Sequence, residues 1–432
     1  CFDKKYVNNP DPLHPKHACS THPHNYYIQL LSETGIIGSL PIFFLYFYFF
    51  ILFVRFSLDK NKKDQYLYIF CFSIIILFFP LMPTGNFFNN WVSTLNFFLL
   101  GFVLYFLGII KNDKKSNEAS LKYVIFGSFA SGLMLFGLSW LYGISGSTNI
   151  YEIHKTIMLI DNPNMLYMSI MLILVGFGYK ISMAPLHYWT PDVYEGSPTT
   201  ITAFLSAAPK AAGFAILIRS FFTLFTVDGN LSVSSSAIEY ADWTLIISVL
   251  SAATMTIGNL LALKQDNVKR MLAYSTISHV GFMLMAFVTT SVDGSVGIMF
   301  YLTMYMFMNL SAFFMVIHVE NNFNIKNVEE WGGIGYKLPL LSVFMVLSLV
   351  SLAGLSPTSG FVGKVYLFRS LFYDKEFFWL AVIGILNSVI ALYYYFRIIK
   401  AMYFVDEEKY ERINAHPIIY WSIIVLSSQN IL

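Results

Sequence analysis

Long apolar runs follow one another along almost the whole chain, and they constrain its fold more than any other feature. About twelve of them are long enough to cross a bilayer. Lipid satisfies no backbone hydrogen bond, so such runs must form helices. They lie at roughly 35–54, 66–83, 93–110, 121–143, 161–183, 200–224, 241–263, 271–290, 295–318, 337–372, 377–400 and 417–432. The sequence therefore predicts an all-α membrane protein.

The composition agrees with a chain that has lipid as its solvent. Hydrophobic residues make up 56% of the sequence and charged residues only 12%, whereas soluble domains carry about 25% charged residues. A net charge of +2 gives no indication of nucleic acid binding. The three cysteines form no metal-binding pattern, and no nucleotide loop, flavin motif or iron–sulfur cysteine set is present. We expect no cofactor, no metal and no redox centre in this chain.

Lysine and arginine are concentrated in alternate loops, which orients the helices. By the positive-inside rule, the basic loops lie in the cytoplasm, so we expect a multi-pass protein of the bacterial inner membrane. The N-terminal segment 1–34 and the loop 144–156 then face the periplasm. The basic loops hold Arg55, Lys60, Lys62, Lys63, Lys111, Lys114, Lys115, Lys264, Lys269, Arg270, Lys326, Lys337, Arg397, Lys400, Lys409 and Arg412.

Residues 180–214 place two lysines, Lys180 and Lys210, in strongly apolar surroundings. A charged side chain at membrane depth is costly and usually marks an ion or proton pathway. Broken helices beside such charges are typical of transporter sites. The residues that interrupt the helix here are Pro185, Pro191, Gly196 and Pro198.

The run 337–372 is too long for one straight span and predicts a second interrupted helix. It contains Gly354, Pro357, Gly360 and Gly363. Lys364 lies beside this break, much as Lys180 lies beside the first. An inverted repeat would produce such a pair.

Four segments together resemble subunit N of bacterial respiratory complex I, the NADH:quinone oxidoreductase. They are SNEASLKYVIFGSFASGLMLFG (116–137), the segment 180–214, KQDNVKRMLAYSTISHVGF (264–282) and SPTSGFVGK (356–364). The string WTPDVYEGSPT separates subunit N from cation/proton antiporter subunits. The resemblance implies an antiporter-like inverted-repeat fold of fourteen helices. We expect residues 113–432 to form this domain without its first five helices, so that the first repeat is incomplete.

The resemblance also implies roles for three lysines. Lys180 would be the central pump lysine, Lys210 the relay lysine between half-channels, and Lys364 the lysine that passes protons to the periplasmic exit. The alternative for Lys180 is a lysine that snorkels towards the cytoplasm. Lys210 is about ten residues into its span and cannot reach the membrane surface easily.

Four further side chains are candidates for the same proton relay. His187 can bridge Lys180 to water, or it is a loop histidine bonded to backbone. Glu118 and Lys122 are four residues apart and can pair on one helix face; they either modulate the pump lysine or form a surface ion pair. His279, inside an apolar span, is a candidate polar bridge. Trp189, Asp192, Tyr194 and Glu195 are interpreted as shaping a cytoplasmic loop rather than carrying protons.

The implied partners are the lipid bilayer and the other membrane subunits of complex I. Quinone and NADH would act only through the complex, because electron transfer takes place elsewhere in it. A cation/proton antiporter subunit is an alternative function for this part of the chain.

Residues 1–112 carry a second resemblance. The string HPHNYYIQLLSETGIIGS (22–39) and PTGNFFNNW (83–91) resemble the C-terminal part of the O-antigen ligase family. A periplasmic imidazole at His24 can act as a general base on a sugar hydroxyl; the alternative is a solvated loop histidine. We expect a periplasmic loop 1–34 and three helices, fused at 111–117 to the larger domain. A membrane glycosyltransferase fragment is therefore a further alternative.

Overall fold

The computed structural model describes Ile51 and residues 113–157, 163–227, 230–231, 243–372, 376–404 and 417–430. The chain divides into two compact units, Cys1–Leu107 and Gly108–Leu432. All elements named below lie in the second unit. The spans expected at 35–54, 66–83 and 93–110 lie outside the described residues, apart from Ile51.

The described part of the chain is almost entirely helical, as the apolar runs predict. Its first half contains α1 (Lys114–Ser145), α2 (Ile150–Ile157), α3 (Pro163–Ile181), α4 (Trp189–Gly196) and α5 (Thr199–Phe225). An antiparallel pair of two-residue strands follows, β1 (Thr226–Val227) and β2 (Asn230–Leu231).

The second half begins with three long helices, α6 (Trp243–Leu263), α7 (Val268–Phe287) and α8 (Val292–Phe323). A 3₁₀ turn (Val328–Trp331) and the short α9 (Ile334–Lys337) lead into α10 (Pro339–Ala353). The chain ends with α11 (Ser359–Phe372), α12 (Phe378–Phe404) and α13 (Pro417–Ser428). Among the described residues, six helices are long and apolar enough to cross a membrane: α1, α3, α5, α6, α8 and α12.

Helix α7 lies at the centre of the described unit. Every residue from Met271 to Phe287 is buried, including the polar side chains of Ser275, Thr276 and His279. Helix α6 packs closely against it because two glycines let the backbones approach. A Cβ at Gly258 would lie 2.7 Å from the Ser278 nitrogen, and one at Gly281 would lie 2.5 Å from Met255 Cγ.

Both predicted helix breaks are present. Helix α3 ends at Ile181, and Pro185 lies in the turn that precedes α4; helix α10 ends at Ala353, and Pro357 lies in the turn that precedes α11. Gly354 ends α10 with a φ of +84°, a left-handed conformation that favours glycine. Both turns contain a cis X-Pro bond.

Two short helices stand where the sequence predicts loops. Helix α2 lies in the expected periplasmic loop 144–156, and Nδ1 of His154 bonds the Leu224 carbonyl at the end of α5 (2.7 Å). Helix α4 consists of WTPDVYEG, so the expected cytoplasmic loop at 189–196 is helical. Its position decides the geometry of the site.

Candidate functional site

Lys210 lies in the middle of α5, and only 1% of it is exposed. Its Nζ donates a hydrogen bond to the Tyr194 hydroxyl of α4 at 2.6 Å. Pro209, the preceding residue, lies inside the helix. A proline removes one backbone hydrogen bond and disturbs the local helix. The expectation that Lys210 cannot reach the membrane surface agrees with this burial.

Tyr194 begins a series of buried hydroxyl groups that leads away from Lys210. Its side chain is fully buried and also interacts with Thr276 on α7. Thr276 in turn accepts a hydrogen bond from the Tyr305 hydroxyl of α8 at 2.9 Å. A hydroxyl both donates and accepts, so consecutive hydroxyls can pass a proton.

His279, on α7, connects this series to the second half of the unit. Its ring lies 5.2 Å from the Tyr305 ring, centroid to centroid. Its Nδ1 bonds the Tyr301 hydroxyl at 2.6 Å, and its Nε2 bonds the Tyr395 hydroxyl at 3.0 Å. The Tyr395 hydroxyl also forms a short hydrogen bond with Ser275. His279 is therefore a polar junction inside the bundle, at the place expected for a polar bridge.

Lys364, on α11, is buried beside the second helix break. Its Nζ donates to the Ala353 carbonyl at 2.8 Å and to the Ser388 hydroxyl at 3.4 Å. The Phe282 ring lies 4.8 Å from the same Nζ. Because Ala353 is the last residue of α10, the negative end of that helix dipole faces the ammonium group. The break thus supplies the counter-group for the lysine.

Lys180 differs from the other two lysines, because its side chain is exposed. It makes no hydrogen bond or ion pair with any described residue. It borders an apolar cavity of about 530 Å³ between α1, α3 and α5. The walls of this cavity include Met134, Leu141, Ile170, Phe177, Pro209, Gly213 and Phe221. Lys180 stands where expected, directly before the first break.

His187 is buried in the turn between α3 and α4, with its ring stacked on Tyr188 at 4.8 Å. Its Nδ1 has no hydrogen-bond partner among the described residues. In this structure it does not bond Lys180. A bridge between the two side chains therefore stays a prediction that needs an intervening water.

Ion pairs surround α4 on its outer side. Glu118 and Lys122 pair at 2.6 Å, as their spacing predicts. Lys122 also bonds Asp192 at 2.6 Å, so this pair is joined to α4. Arg270 donates to Asp192 at 2.8 Å and to Glu195 at 3.0 Å, and Lys115 bonds Glu195 at 2.9 Å.

These partners change the acidity of both α4 carboxyl groups. Burial alone would raise the pKa of Asp192, but hydrogen bonds from Lys122 and Arg270 outweigh it and lower that pKa. Burial likewise opposes ionisation of Glu195, and Lys115 and Arg270 hold its pKa below the ordinary value. Both groups are therefore negatively charged near neutral pH.

The sequence missed the functional position of Tyr194. We expected it to shape a loop, whereas its hydroxyl contacts Lys210 directly. Thr276, Tyr301, Tyr305 and Tyr395 were also missed. For these last four residues, the available signal was a hydroxyl side chain within a span that is otherwise apolar. Among the described residues, no three His, Cys, Asp or Glu side chains cluster as a metal site would require.

Comparisons with known proteins agree with this architecture. A family model described as "NADH:quinone oxidoreductase/Mrp antiporter, TM" matches residues 88–391. "NADH-quinone oxidoreductase subunit N 2" of Sorangium cellulosum is 44% identical over 349 residues, which cover 79% of this chain and 67% of the relative. A protein of the same name from Chloroherpeton thalassium is 40% identical over 357 residues, covering 82% of this chain and 69% of the relative.

A solved structure, respiratory complex I from Thermus thermophilus with bound aureothin, contains a chain of similar fold. The TM-score is 0.63 with 27% identity, over 84% of this chain and 76% of that chain. These relatives confirm the expected likeness to subunit N. The family match begins at residue 88, upstream of the domain boundary expected at 113.

Proposed function

Because the chain belongs to the NADH:quinone oxidoreductase/Mrp antiporter transmembrane family, we propose that it moves protons across a membrane as a subunit of such an oxidoreductase. Protons pass along a relay of lysine, histidine and water, coupled to quinone reduction elsewhere in the complex. The chain itself performs no redox step. Its location is the bacterial inner membrane, and its partners are the other membrane subunits.

The observation that carries the proposal is a pair of buried lysines with groups between them that can exchange protons. Lys210 and Lys364 are 1% and 4% exposed, within helices that are otherwise apolar. A stable fold gains nothing from burying an ammonium group, which costs several kcal/mol or more. Such groups are retained where they transfer charge. Neither lysine is paired with a carboxylate among the described residues, so each can exist with or without its proton.

The relay follows the contacts. A proton on Lys210 passes to the Tyr194 hydroxyl and then, through Thr276 and Tyr305, to the neighbourhood of His279. Nitrogen atoms of His279 connect to Tyr301 and Tyr395, and Lys364 lies beyond Phe282. Water completes the steps where side chains are not in hydrogen-bond contact. Lys364 then delivers the proton towards the periplasm.

The remaining candidates have roles at the entry side. Lys180 receives the proton first, at the cytoplasmic side of the first helix break. His187, with its free Nδ1, links Lys180 to water at the cytoplasmic side. Glu118 and Lys122 modulate the charge near the entry through their ion pair and the bond to Asp192.

Removal of either buried ammonium group tests this function. In an assembled complex I whose subunit N carries these residues, Lys210→Met and Lys364→Met should each reduce proton pumping by about tenfold or more, since a positioned proton carrier contributes roughly 10²–10⁴-fold. Pumping is measured as acidification of inverted membrane vesicles driven by NADH, with quinone reduction recorded in parallel.

A matched control is Arg219→Met, which removes a cation from an exposed position of the same helix as Lys210. We expect this variant to pump like the parent. Unchanged pumping in both lysine variants, at normal assembly, would refute the proposed relay.

For residues 1–112 we propose a ligase-like fragment in which His24 is the candidate base. The support is the spacing of His24, Asn25, Gly35 and Gly38 in the sequence. These residues lie outside the described part of the chain. In a full-length O-antigen ligase that contains this segment as its C-terminal part, His24→Ala should abolish glycan transfer to the lipid A core. His14→Ala is the control. An unchanged lipopolysaccharide ladder for His24→Ala would contradict the role.

A further inference from the structure

Helix α4 presents charged and buried side chains in different directions. Asp192 and Glu195 lie three residues apart and share one face of a helix. Tyr194, between them, is completely buried and reaches Lys210. A helix of eight residues is short, so it moves as one body. Whatever fixes the two carboxylates therefore also fixes the Tyr194 hydroxyl.

Arg270 is the residue best placed to fix α4. The same guanidinium nitrogen donates to Asp192 at 2.8 Å and to Glu195 at 3.0 Å. Arg270 belongs to α7, the buried central helix, next to the turn that begins at Asn267. The pairs formed by Lys115 and Lys122 tie the same carboxylates to α1. Arginine thus joins α4 to the rigid centre of the unit.

Close packing leaves α4 little freedom on the α1 side. A Cβ at Gly196 would lie 2.6 Å from the Lys115 carbonyl oxygen and 2.7 Å from the Ala119 Cβ. The Trp189 ring packs on Tyr123 and Tyr179 at 5.3 and 5.1 Å between centroids. The ends of α4 are therefore in contact with α1 and α3, and its carboxylates are held by Arg270 of α7 and by Lys115 and Lys122 of α1.

We propose that Arg270 is a positioning residue for Lys210: by binding Asp192 and Glu195 it holds α4 where the Tyr194 hydroxyl accepts the hydrogen bond of the Lys210 ammonium. The inference rests on the proposed function for the importance of Lys210. The geometric connection itself runs from a surface ion pair, through one helix, to a buried lysine. Positional control of this kind makes the first transfer out of Lys210 depend on the integrity of the cytoplasmic ion pairs.

The test measures the chemical state of Lys210 directly. The full chain, reconstituted in lipid nanodiscs, is treated with trace acetic anhydride, and acetylation of each lysine is quantified by mass spectrometry. Only a neutral amine reacts, so loss of the hydroxyl that stabilises the ammonium raises the rate. In a reaction run at an acidic pH, where most of the parent Lys210 is an ammonium, we expect Tyr194→Phe and Arg270→Gln each to accelerate its acetylation by roughly tenfold, the effect of one hydrogen bond to a charged group. Lys364 serves as the internal reference in the same sample.

A double-mutant cycle separates positioning from general damage. If Arg270 acts through Tyr194, then Arg270→Gln changes nothing further once Tyr194 is phenylalanine. Arg270→Lys should restore part of the parent rate, because a lysine keeps the positive charge but not the planar guanidinium group. The matched control is Arg397→Gln, which breaks the pair with Asp266 at the same membrane face without touching α4.

Three results would overturn the proposal. The first is an unchanged acetylation rate at Lys210 in Arg270→Gln, and the second is an equal acceleration at Lys364. The third is a double variant in which the accelerations caused by Tyr194→Phe and Arg270→Gln multiply. If Arg270→Gln does not fold, Asp192→Asn combined with Glu195→Gln removes the ion pairs of Arg270 together with those of Lys115 and Lys122, and it must give at least the same acceleration. The readout needs no turnover. Failure of the pumping experiment therefore leaves this test intact, and the reverse also holds.

Discussion

The buried lysines of this unit differ in the group that accepts their hydrogen bond. Lys210 bonds a tyrosine hydroxyl and Lys364 bonds a backbone carbonyl, both of which are neutral. Lys269, by contrast, pairs with the Glu320 carboxylate at 3.2 Å. A carboxylate partner opposes the loss of a lysine's charge on burial, whereas a neutral acceptor leaves both protonation states accessible. The two proposed carriers have the neutral partners.

The ion pairs of Asp192 and Glu195 predict acid sensitivity. Their lowered pKa values mean that these carboxylates stabilise the fold at neutral pH and lose that contribution as pH falls through the lowered values. In nanodiscs, we expect the melting temperature of the parent chain to decrease once the pH drops below about 4.5, the ordinary range of carboxyl pKa values. The double variant Asp192→Asn, Glu195→Gln should have a lower melting temperature at neutral pH, and that temperature should change less over the same pH range.

The control for this prediction neutralises two exposed carboxylates outside α4, Asp293→Asn with Glu329→Gln. That variant should follow the parent curve. Parallel pH curves for the parent and the α4 variant would contradict the stabilising role.

Sequence reasoning located the charged members of the site but not their hydrogen-bond partners. A lysine in an apolar run is conspicuous because of its cost, so Lys180, Lys210 and Lys364 could be found. Tyrosine and threonine are common in membrane helices. Nothing in the sequence marks Tyr194, Thr276 or Tyr305 as neighbours, since their contact depends on how three separate helices pack.

At the scale of elements, close helix pairs depend on single glycines. Helices α6 and α7 approach at Gly258, where an added methyl group would meet backbone atoms of Tyr274 and Ser278. Backbone cannot rotate away as a side chain can. The pair also carries Asn259, whose amide donates to the Asn387 side chain and carbonyl at 3.0 and 2.9 Å.

Gly258→Ala should therefore destabilise the chain by about 1–3 kcal/mol, the usual cost of overpacking a core. Unfolding in mixed detergent micelles, followed by tryptophan fluorescence, gives this difference. Gly132→Ala in α1 is the control, since its Cβ would meet nothing within 4 Å. We expect the control to be neutral or slightly stabilising, because alanine favours a helix. Equal stability of both variants would show that the contact is not tight.

Element boundaries were predictable where a long apolar run was bounded by polar residues. The predicted run 241–263 is α6 (Trp243–Leu263), and the break inside 337–372 separates α10 from α11. Helices α2 and α4 were not predicted. They are short and partly polar, so periodicity carries little signal over their two turns. Helix α2 packs on α1 and α5, and helix α4 packs on α1 and α7.

For the whole molecule, the alternating loop charges predict which ends of the helices share a membrane face. Glu329, between α8 and α9, should be cytoplasmic, and Thr148, between α1 and α2, periplasmic. Both positions are exposed. After Cys1, Cys19 and Cys71 are replaced by serine, Glu329→Cys should react with an impermeant maleimide only in inverted vesicles. Thr148→Cys should react only in spheroplasts.

Labelling of both cysteines from the same side would contradict this topology. The cysteine-free parent provides the background for each preparation. The orientation also decides the direction of transport, because the ion pairs around α4 lie on the face assigned to the cytoplasm.

The acceptor of Lys364 has a practical consequence for genetics. The group that holds this lysine is the main-chain carbonyl of Ala353, so no side-chain substitution deletes it. Alanine scanning of α10 would not detect this carbonyl acceptor. The nearest genetic handle is Gly354, where a Cβ would lie 3.0 Å from the Lys364 Nζ and 2.8 Å from its Cδ. The acceptor in this interaction is a backbone atom, so systematic mutagenesis of the chain will detect it only through a glycine, Gly354, that does not tolerate substitution.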